Sequence, residues 1–429
     1  MLKKGESWQS PRGWFNLKTA IEPCGEMIEN MAKRLGILIV GLLCSPLAIG
    51  QDDGFSFCLA ALQDRARAEQ MPAWVIDTVL AKLEPQPRVI ALDRSQPEFT
   101  QTFADYFSLR VTPERIDRGR RLRYEYRPFL SKVTPRYGVP DQYLIAFWGL
   151  ETHYGGYLGA IPTLDALATL ACDDRRHDYF SNELMAALML LNRESLTPQE
   201  MQGSWAGAMG HTQFMPSAYL NFAVDGDRDG HVNLWKSERD ALASAANFLE
   251  NLGWQRGERW GREVLLPNNF PYAQSGLENR QPIRHWASLD VRLTNKARLP
   301  DVDMQGSILL PSGHTGPAFL VYHNFEVIMG WNRSEFYALS VGLLADRIAG
   351  GGALLRPPAS EPALSHRAIT RLQERLNHLG FDAGKADGIM GTATRSALRA
   401  FQGASGMIAD GYPDGATLRA LAVDAEPAS

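Results

Sequence analysis

The sequence predicts a mainly α-helical protein with a small strand-bearing insertion and a small three-helix-type C-terminal module. Three observations carry this. Apolar residues recur at spacings of three and four over most of residues 51–355. The stretch 253–332 is instead rich in Gly, Pro and Asn, with short β-type runs such as Ala318-Phe319-Leu320-Val321-Tyr322. Gly350-Gly351-Gly352 and the Pro-rich Arg356 to Pro362 then read as a linker, and a compact repeat follows.

Composition bounds the function. The 429 residues fit two or three domains. Hydrophobic residues are 45% and charged residues 21%, which excludes a disordered or polytopic membrane chain. The net charge of -4 leaves no basic footprint for nucleic acid. The 10 Trp and 13 Tyr supply either a large core or stacking surface for a ring-shaped ligand such as a sugar.

At the N-terminal end, Lys33 and Arg34 precede an apolar run from Leu35 to Ile49, interrupted by Pro46. The run is short for a bilayer span. With its Ala48-Ile49-Gly50 end it reads as a signal peptide over 31–50, cut before Gln51. Met31 is then the expected start, and residues 1–30 an upstream extension. An uncleaved anchor is the alternative. Leu43 before Cys44 argues against lipidation, because a small residue is usual there. The exported chain keeps Cys58 and Cys172, which read as one disulfide tying the first helix to the central region. Two buried free thiols are the alternative.

Candidate helices are 58–69, 72–83, 113–136, 140–153, 163–171, 179–193, 237–252 and 334–349. In the fourth, Pro140 opens the helix and Gly155-Gly156 end it. Glu151 lies three residues after Trp148, four after Phe147 and seven after Leu144, on the apolar face. Burial there raises a carboxyl pKa and makes a general acid near neutral pH. The plainer reading is a Glu at the edge of the stripe, reaching solvent. A second motif, Gly203-Ser204-Trp205-Ala206-Gly207-Ala208-Met209-Gly210-His211-Thr212-Gln213-Phe214-Met215-Pro216-Ser217, has small residues for close backbone approach. Ser204 and Gln213 offer hydrogen bonds; Met209, Phe214 and Met215 offer apolar contact to a sugar face. The alternative is a tightly packed corner with no ligand.

The C-terminal repeat is Asp387-Gly388, Ala393-Thr394 and Ala397-Leu398, recurring as Asp410-Gly411, Ala416-Thr417 and Ala420-Leu421. Each Asp-Gly is a turn, and each Thr lies at the start or first turn of a short helix. Leu372, Leu376, Leu379, Leu398, Phe401 and Leu421 are the expected core. With Leu372-Gln373, Leu379-Gly380-Phe381 and Phe401-Gln402, the segment resembles the peptidoglycan-binding module of cell-wall enzymes.

Gly149-Leu150-Glu151-Thr152-x-Tyr154-Gly155 and Gly207-Ala208-Met209-Gly210-x2-Gln213-Phe214-Met215-Pro216-Ser217 resemble the membrane-bound lytic transglycosylase B family. Leu164 to Leu170, Tyr179-Phe180-x2-Glu183-Leu184 and Asn324-Phe325-x-Val327-Ile328-x2-Trp331-Asn332-x-Ser334-x2-Tyr337-Ala338 extend the likeness over most of 55–348. The resemblance implies a lysozyme-like catalytic core with an added helical domain over 51–352, a linker over 353–363 and a wall-binding module over 364–424. It makes Glu151 the acid/base, sets Ser204 and Gln213 around the cleaved sugar, and puts Tyr179, Trp331 and Tyr337 in the cleft. Trp331 stands where some relatives have Tyr, and Gly330 where a longer, often basic residue is usual.

What the resemblance implies chemically is non-hydrolytic cleavage between N-acetylmuramic acid and N-acetylglucosamine, leaving 1,6-anhydro ends. The substrate is peptidoglycan, with stem peptides and other wall enzymes left open as partners, and the address is the periplasm of a Gram-negative bacterium. No cofactor is expected for catalysis. A hydrolytic muramidase with a second carboxylate across the cleft and an inactive wall-binding scaffold are the alternatives; Asp165 and Glu183 lie on neighbouring helices, but the resemblance makes neither a catalytic partner. Asp225-Gly226-Asp227-Arg228-Asp229-Gly230-His231 matches the first seven positions of a calcium loop, with the His231 carbonyl as a ligand. Lys236 occupies the twelfth position, so closure falls to a displaced residue, Asp240. The alternative is an Asp/Gly turn held by its own hydrogen bonds.

Overall fold

Residues 51–95, 101–194, 196–359 and 362–427 are described in the computed structural model. The expected extension and signal peptide, with Cys24 and Cys44, lie outside these residues. Helix α1 (Gln51–Ala68) comes first. The segment 72–83, expected as one helix, contains a π-helical turn, Val75–Val79, that runs into a 3-10 turn, Leu80–Lys82. The changed winding buries Val75, Ile76, Val79 and Leu80 together. Helices α2 (Pro87–Ser95) and α3 (Phe103–Arg110) were not legible as apolar stripes. The single helix expected over 113–136 is two, α4 (Pro113–Glu125) and α5 (Arg127–Tyr137). Pro128 has no amide hydrogen for the ladder, so the chain breaks at Tyr126 and restarts.

Helix α6 (Asp141–Thr152) is central. Every residue from Tyr143 to Gly149 is buried, so α6 has no polar face there. Leu150 and Glu151 in its last turn are again partly exposed. A two-residue strand, β1 (Ile161–Pro162), pairs with β2 (Gln202–Gly203) and leads into α7 (Thr163–Ala171) and α8 (His177–Arg193). Cys58 on α1 and Cys172 at the end of α7 form a disulfide, their Cα atoms 5.8 Å apart. Helices α9 (Pro216–Phe222) and α10 (Glu238–Asn251) complete this part.

The insertion is an antiparallel sheet of β3 (Gly261–Leu265), β4 (Gln281–Pro282), β5 (Arg292–Leu293), β6 (Gln305–Leu309) and β7 (Ala318–Val321), in the order β4-β6-β7-β3-β5. Helix α11 (Ile283–Ser288) packs Ile283 and Trp286 against it. The stretch after β7, expected within the strand region, is helix α12 (His323–Trp331). The buried Asn324 side chain bonds the backbone of Gln255 and Glu258, which fixes the turn from sheet to helix. Ser334 caps α13 (Glu335–Ile348).

The helical part of 51–348 has two apolar cores. One joins α3 to α6, α10, α12 and α13; the other joins α1, α2, α7, α8 and the 201–219 segment. Trp331 packs on both.

The C-terminal module has α14 (His366–His378), α15 (Thr392–Ala404) and α16 (Gly415–Leu421). Its repeat is organised by two buried glutamines. The Gln373 amide donates to Asp387, to the Ile389 carbonyl and to Thr394, and accepts from the Gly388 amide. Gln402 does the same with Asp410, the Tyr412 carbonyl, Thr417 and the Gly411 amide. The repeated threonines therefore answer the glutamines and do not cap helices. Leu379, expected in the core, is 41% exposed; the other expected core residues are buried. The linker is pinned, since Leu355 and Arg356 amides donate to Glu263 on β3. No helix among the described residues is long and apolar enough to cross a membrane.

The disulfide closes a loop over a sequence separation of 114 residues. Cys172→Ser is expected to lower unfolding stability by about 2–4 kcal/mol. A urea titration under non-reducing conditions would read this as an earlier midpoint; an unchanged midpoint would contradict it.

Candidate active site

Helix α6 delivers Glu151 at its last turn, after which His153 and Tyr154 take left-handed backbone and turn the chain away. Gly155 follows at φ +74, and a Cβ there would meet the His211 ring at 2.4 Å. His211 clamps this corner to the second motif. Its Nδ1 accepts from the Trp148 indole at 3.0 Å, and its carbonyl accepts from Thr152 Oγ1 at 2.8 Å. Burial holds the imidazole below its ordinary pKa, in keeping with a neutral ring that accepts at Nδ1.

Two donors from other helices meet Glu151. The Trp331 indole, at the end of α12, donates to Oε1 at 2.9 Å, and the buried Tyr337 hydroxyl, on α13, donates to the same oxygen. Both bonds go to Oε1, so Oε2 is the oxygen left to carry and deliver a proton. Burial pushes the Glu151 pKa up to about 7, against the pull of Tyr337, Trp331 and the Arg110 charge. The indole of Trp331 thus makes a hydrogen bond as well as stacking. Its ring lies 4.5 Å from Phe147, 5.3 Å from Phe214 and 5.2 Å from Phe248.

No carboxylate is among the partners of Glu151 in the described residues. Glu183 accepts from the Ser217 amide and hydroxyl at 2.9 and 2.7 Å. Asp165 accepts from the Glu84 amide at 2.7 Å. Glu183 thus holds the first turn of α9, and Asp165 the chain at Glu84.

The remaining expected residues divide. Ser204 Oγ accepts from the Ala208 amide at 3.1 Å, closing its own turn. Gln213, at φ 49, donates to the carbonyls of Leu158 and Gly210 at 3.1 and 2.9 Å. A non-glycine residue held in this region is strained, as residues at functional corners often are. Tyr179 is 45% exposed and feels the charge of Arg333, just past Trp331. Met209 and Phe214 correct the sequence reading. They are 0% and 2% exposed and belong to the core around α7 and α8, with little surface to offer a sugar. Arg110 and His211 were missed as functional side chains. Arg110 sits in a helix with no legible stripe, and His211 stood unremarked inside the second motif.

The acidic loop gathers three of its expected ligands. One carboxylate oxygen from each of Asp225, Asp227 and Asp229 lies within 4.8 Å of the others. Three such charges repel unless a cation sits among them. Gly230, at φ +94, fits the sharp turn of a calcium loop's sixth position. Asp240, expected to close the site, stands next to this trio through the Gly226 and Asp227 amides. Its buried carboxylate accepts the amides of Gly226, Asp227 and Asn233. The His231 amide donates to Asp229 at 2.8 Å, and Lys236 pairs with Glu200 at 2.6 Å.

A lysozyme-like helical fold with one buried carboxyl of raised pKa defines a class of glycan-cleaving enzymes. The chain belongs to the transglycosylase SLT domain family, whose model matches residues 54–346. Residues 365–421 match the peptidoglycan binding domain model. The chain is 34% identical over 240 residues to the membrane-bound lytic murein transglycosylase B of Escherichia coli (strain K12), covering 56% of this chain and 65% of that protein. It thus spans just under two thirds of that relative's length. Among solved structures, SltB3 from Pseudomonas aeruginosa in complex with NAG-anhNAM-pentapeptide is 41% identical, with a TM-score of 0.82, over 87% of this chain and 100% of that one. The Escherichia coli lytic transglycosylase SLT35 in complex with calcium is 29% identical, with a TM-score of 0.60, over 68% of this chain and 92% of that one.

The Glu151 proton is held below about pH 7 and lost above it. Carbon NMR of the Glu151 carboxyl, assigned with Glu151→Gln, is expected to give a midpoint near 7. Tyr337→Phe removes a bond that favours the charged form, so the midpoint should rise by about one unit. A fall would contradict the assigned role.

Proposed function

We propose that this protein is an exported lytic transglycosylase that cleaves the muramic acid to glucosamine bond of peptidoglycan and leaves a 1,6-anhydro end. The observation that carries the reading is the single carboxyl of Glu151, with both donors on Oε1 and a raised pKa. A neutral carboxyl at neutral pH donates from Oε2 to the glycosidic oxygen. The departing glucosamine takes that proton, and the 2-acetamido oxygen of the muramic acid stabilises positive charge at C1. Glu151 is now a carboxylate, and its two donors steady the new charge. It takes the proton of the C6 hydroxyl, whose oxygen bonds C1. The acid is restored, and no water enters.

A hydrolase would need a second carboxylate to activate water or form a covalent intermediate. The commitment of Glu183 and Asp165 to Ser217 and Glu84 favours the one-carboxylate route. SltB3 complexes with NAG-NAM-pentapeptide and NAG-anhNAM-pentapeptide support the same substrate class here. Gln213 and Ser204 line the approach to the cleft in this reading, and Tyr179 offers an exposed ring. The C-terminal module holds the enzyme on the wall. The envelope is the site of action, in line with the membrane-bound relative.

Mass spectrometry of wall digests tests this. The protein is expected to yield muropeptides lighter by one water than hydrolysed ones, and Glu151→Gln to yield none. Reducing-end products would make it a hydrolase, and release of nothing by either protein would make it a binding scaffold.

Asp225, Asp227 and Asp229, with the His231 carbonyl, would hold a calcium ion that balances their charge and stiffens the loop; a structural role follows, as the SLT35 calcium complex supports. Millimolar calcium is expected to raise the melting temperature by about 2–4 °C. Asp227→Asn should remove most of that rise, whereas magnesium should give little. No calcium response would leave the turn held by its own hydrogen bonds.

A further inference from the structure

The C-terminal module touches the rest of the protein at the helix that carries Tyr337. Arg395, on α15, lies 3.9 Å from the Glu335 carboxylate, and the two side chains are 12% and 16% exposed. Its guanidinium stands 5.6 Å from the centre of the Phe336 ring. Thr392, on the same helix, reaches Glu335 at 3.5 Å. Glu335 and Phe336 open α13, and Tyr337 follows directly. Phe336 packs in turn on Phe103 at 5.4 Å and Tyr106 at 6.1 Å, both on α3. Helix α3 ends at Arg110, which stands 5.0 Å over the Tyr106 ring. The two groups that act on Glu151 from this side are therefore linked through two packed rings: Arg110 stands over Tyr106, Tyr106 packs on Phe336, and Phe336, covered by Arg395, directly precedes Tyr337.

We propose that Arg395 is a positioning residue: the docked module grips the first turn of α13 and so keeps the Tyr337 hydroxyl on Glu151. The inference rests on Glu151 being the acid. A helix's first turn has free amides and frays readily. Here it is capped only by Ser334, whose hydroxyl accepts from the Tyr337 amide at 3.3 Å. An exposed ion pair would add little, but this one is largely out of water and is joined by a cation over an aromatic face. Without Arg395, Glu335 keeps its burial and loses its cation, and Phe336 loses its cover. The module itself stays docked, because Arg399 pairs with Glu278 and Asp410 bonds His314 on the insertion. Glu151 faces Tyr337 from α13 and the Arg110 charge from α3, with the Trp331 indole from α12; Tyr337 faces Glu151 and Tyr106. The bond at risk favours the ionised carboxyl, so loosening it raises the pKa.

The test uses the full chain carrying Arg395→Ala, Arg395→Lys or Glu335→Gln. Two readouts are taken: the carbon NMR midpoint of Glu151, and kcat and KM on a short soluble glycan. Arg395→Ala is expected to raise the midpoint by about half a unit. It should lower kcat about 3- to 10-fold with KM nearly unchanged. Glu335→Gln cuts the same pair from the other side and should match it, which keeps the test open if the alanine variant does not fold. Arg395→Lys can still pair with Glu335 and stand over Phe336, so it should restore both values. An unmoved midpoint in Arg395→Ala and Glu335→Gln overturns the proposal. A shifted midpoint in a protein whose wild type forms no anhydro product upholds the positioning and overturns only the catalytic reading.

Discussion

Everything at the site depends on one carboxyl that is half withdrawn from water and bonded on one side only. Burial alone would keep Glu151 neutral and make it a reluctant proton donor. Two donors on Oε1 offset part of that penalty. The result is a group whose two protonation states are close in energy near neutrality, which is what a residue that must give and then take a proton needs. The geometry also separates the tasks, with one oxygen anchored and the other free.

That arrangement brings α6 against two consecutive helices that are remote from it in sequence. Helix α6 brings the acid, α12 the indole and α13 the phenol. Trp331 belongs to both apolar cores, so the donor is fixed only when the two halves of the central region are packed together. His211 ties the last turn of α6 to the glycine-rich corner in the same way. The site is a seam between cores, and the rigidity of each core becomes the precision of the seam.

Much of this was legible in the sequence, for identifiable reasons. Glu151 announced itself because a carboxylate amid Leu144, Phe147 and Trp148 breaks the pattern of its helix. The two cysteines and the three aspartates were legible as residue types whose chemistry has few other uses. What spacing could not give was the partner across the fold. Nothing near Trp331 in the chain says that its indole points at residue 151, and Arg110 lies in a helix without an apolar stripe. Met209 and Phe214 were misread because a hydrophobic residue in a motif serves a ligand and a core equally well, and only burial separates the two.

The raised pKa of Glu151 has a cost that falls on the whole molecule. In the unfolded chain this carboxyl would ionise around 4.5; in the native state it resists ionising until about 7. The native state therefore binds the proton more tightly, and stability is lost as pH rises between those values, with the full penalty present above about 7. At the pH where the enzyme acts, its acid is a standing load on the fold. The disulfide between α1 and α7 and the two packed cores offset that load, and a chain relieved of Glu151 would carry stability that function had withheld.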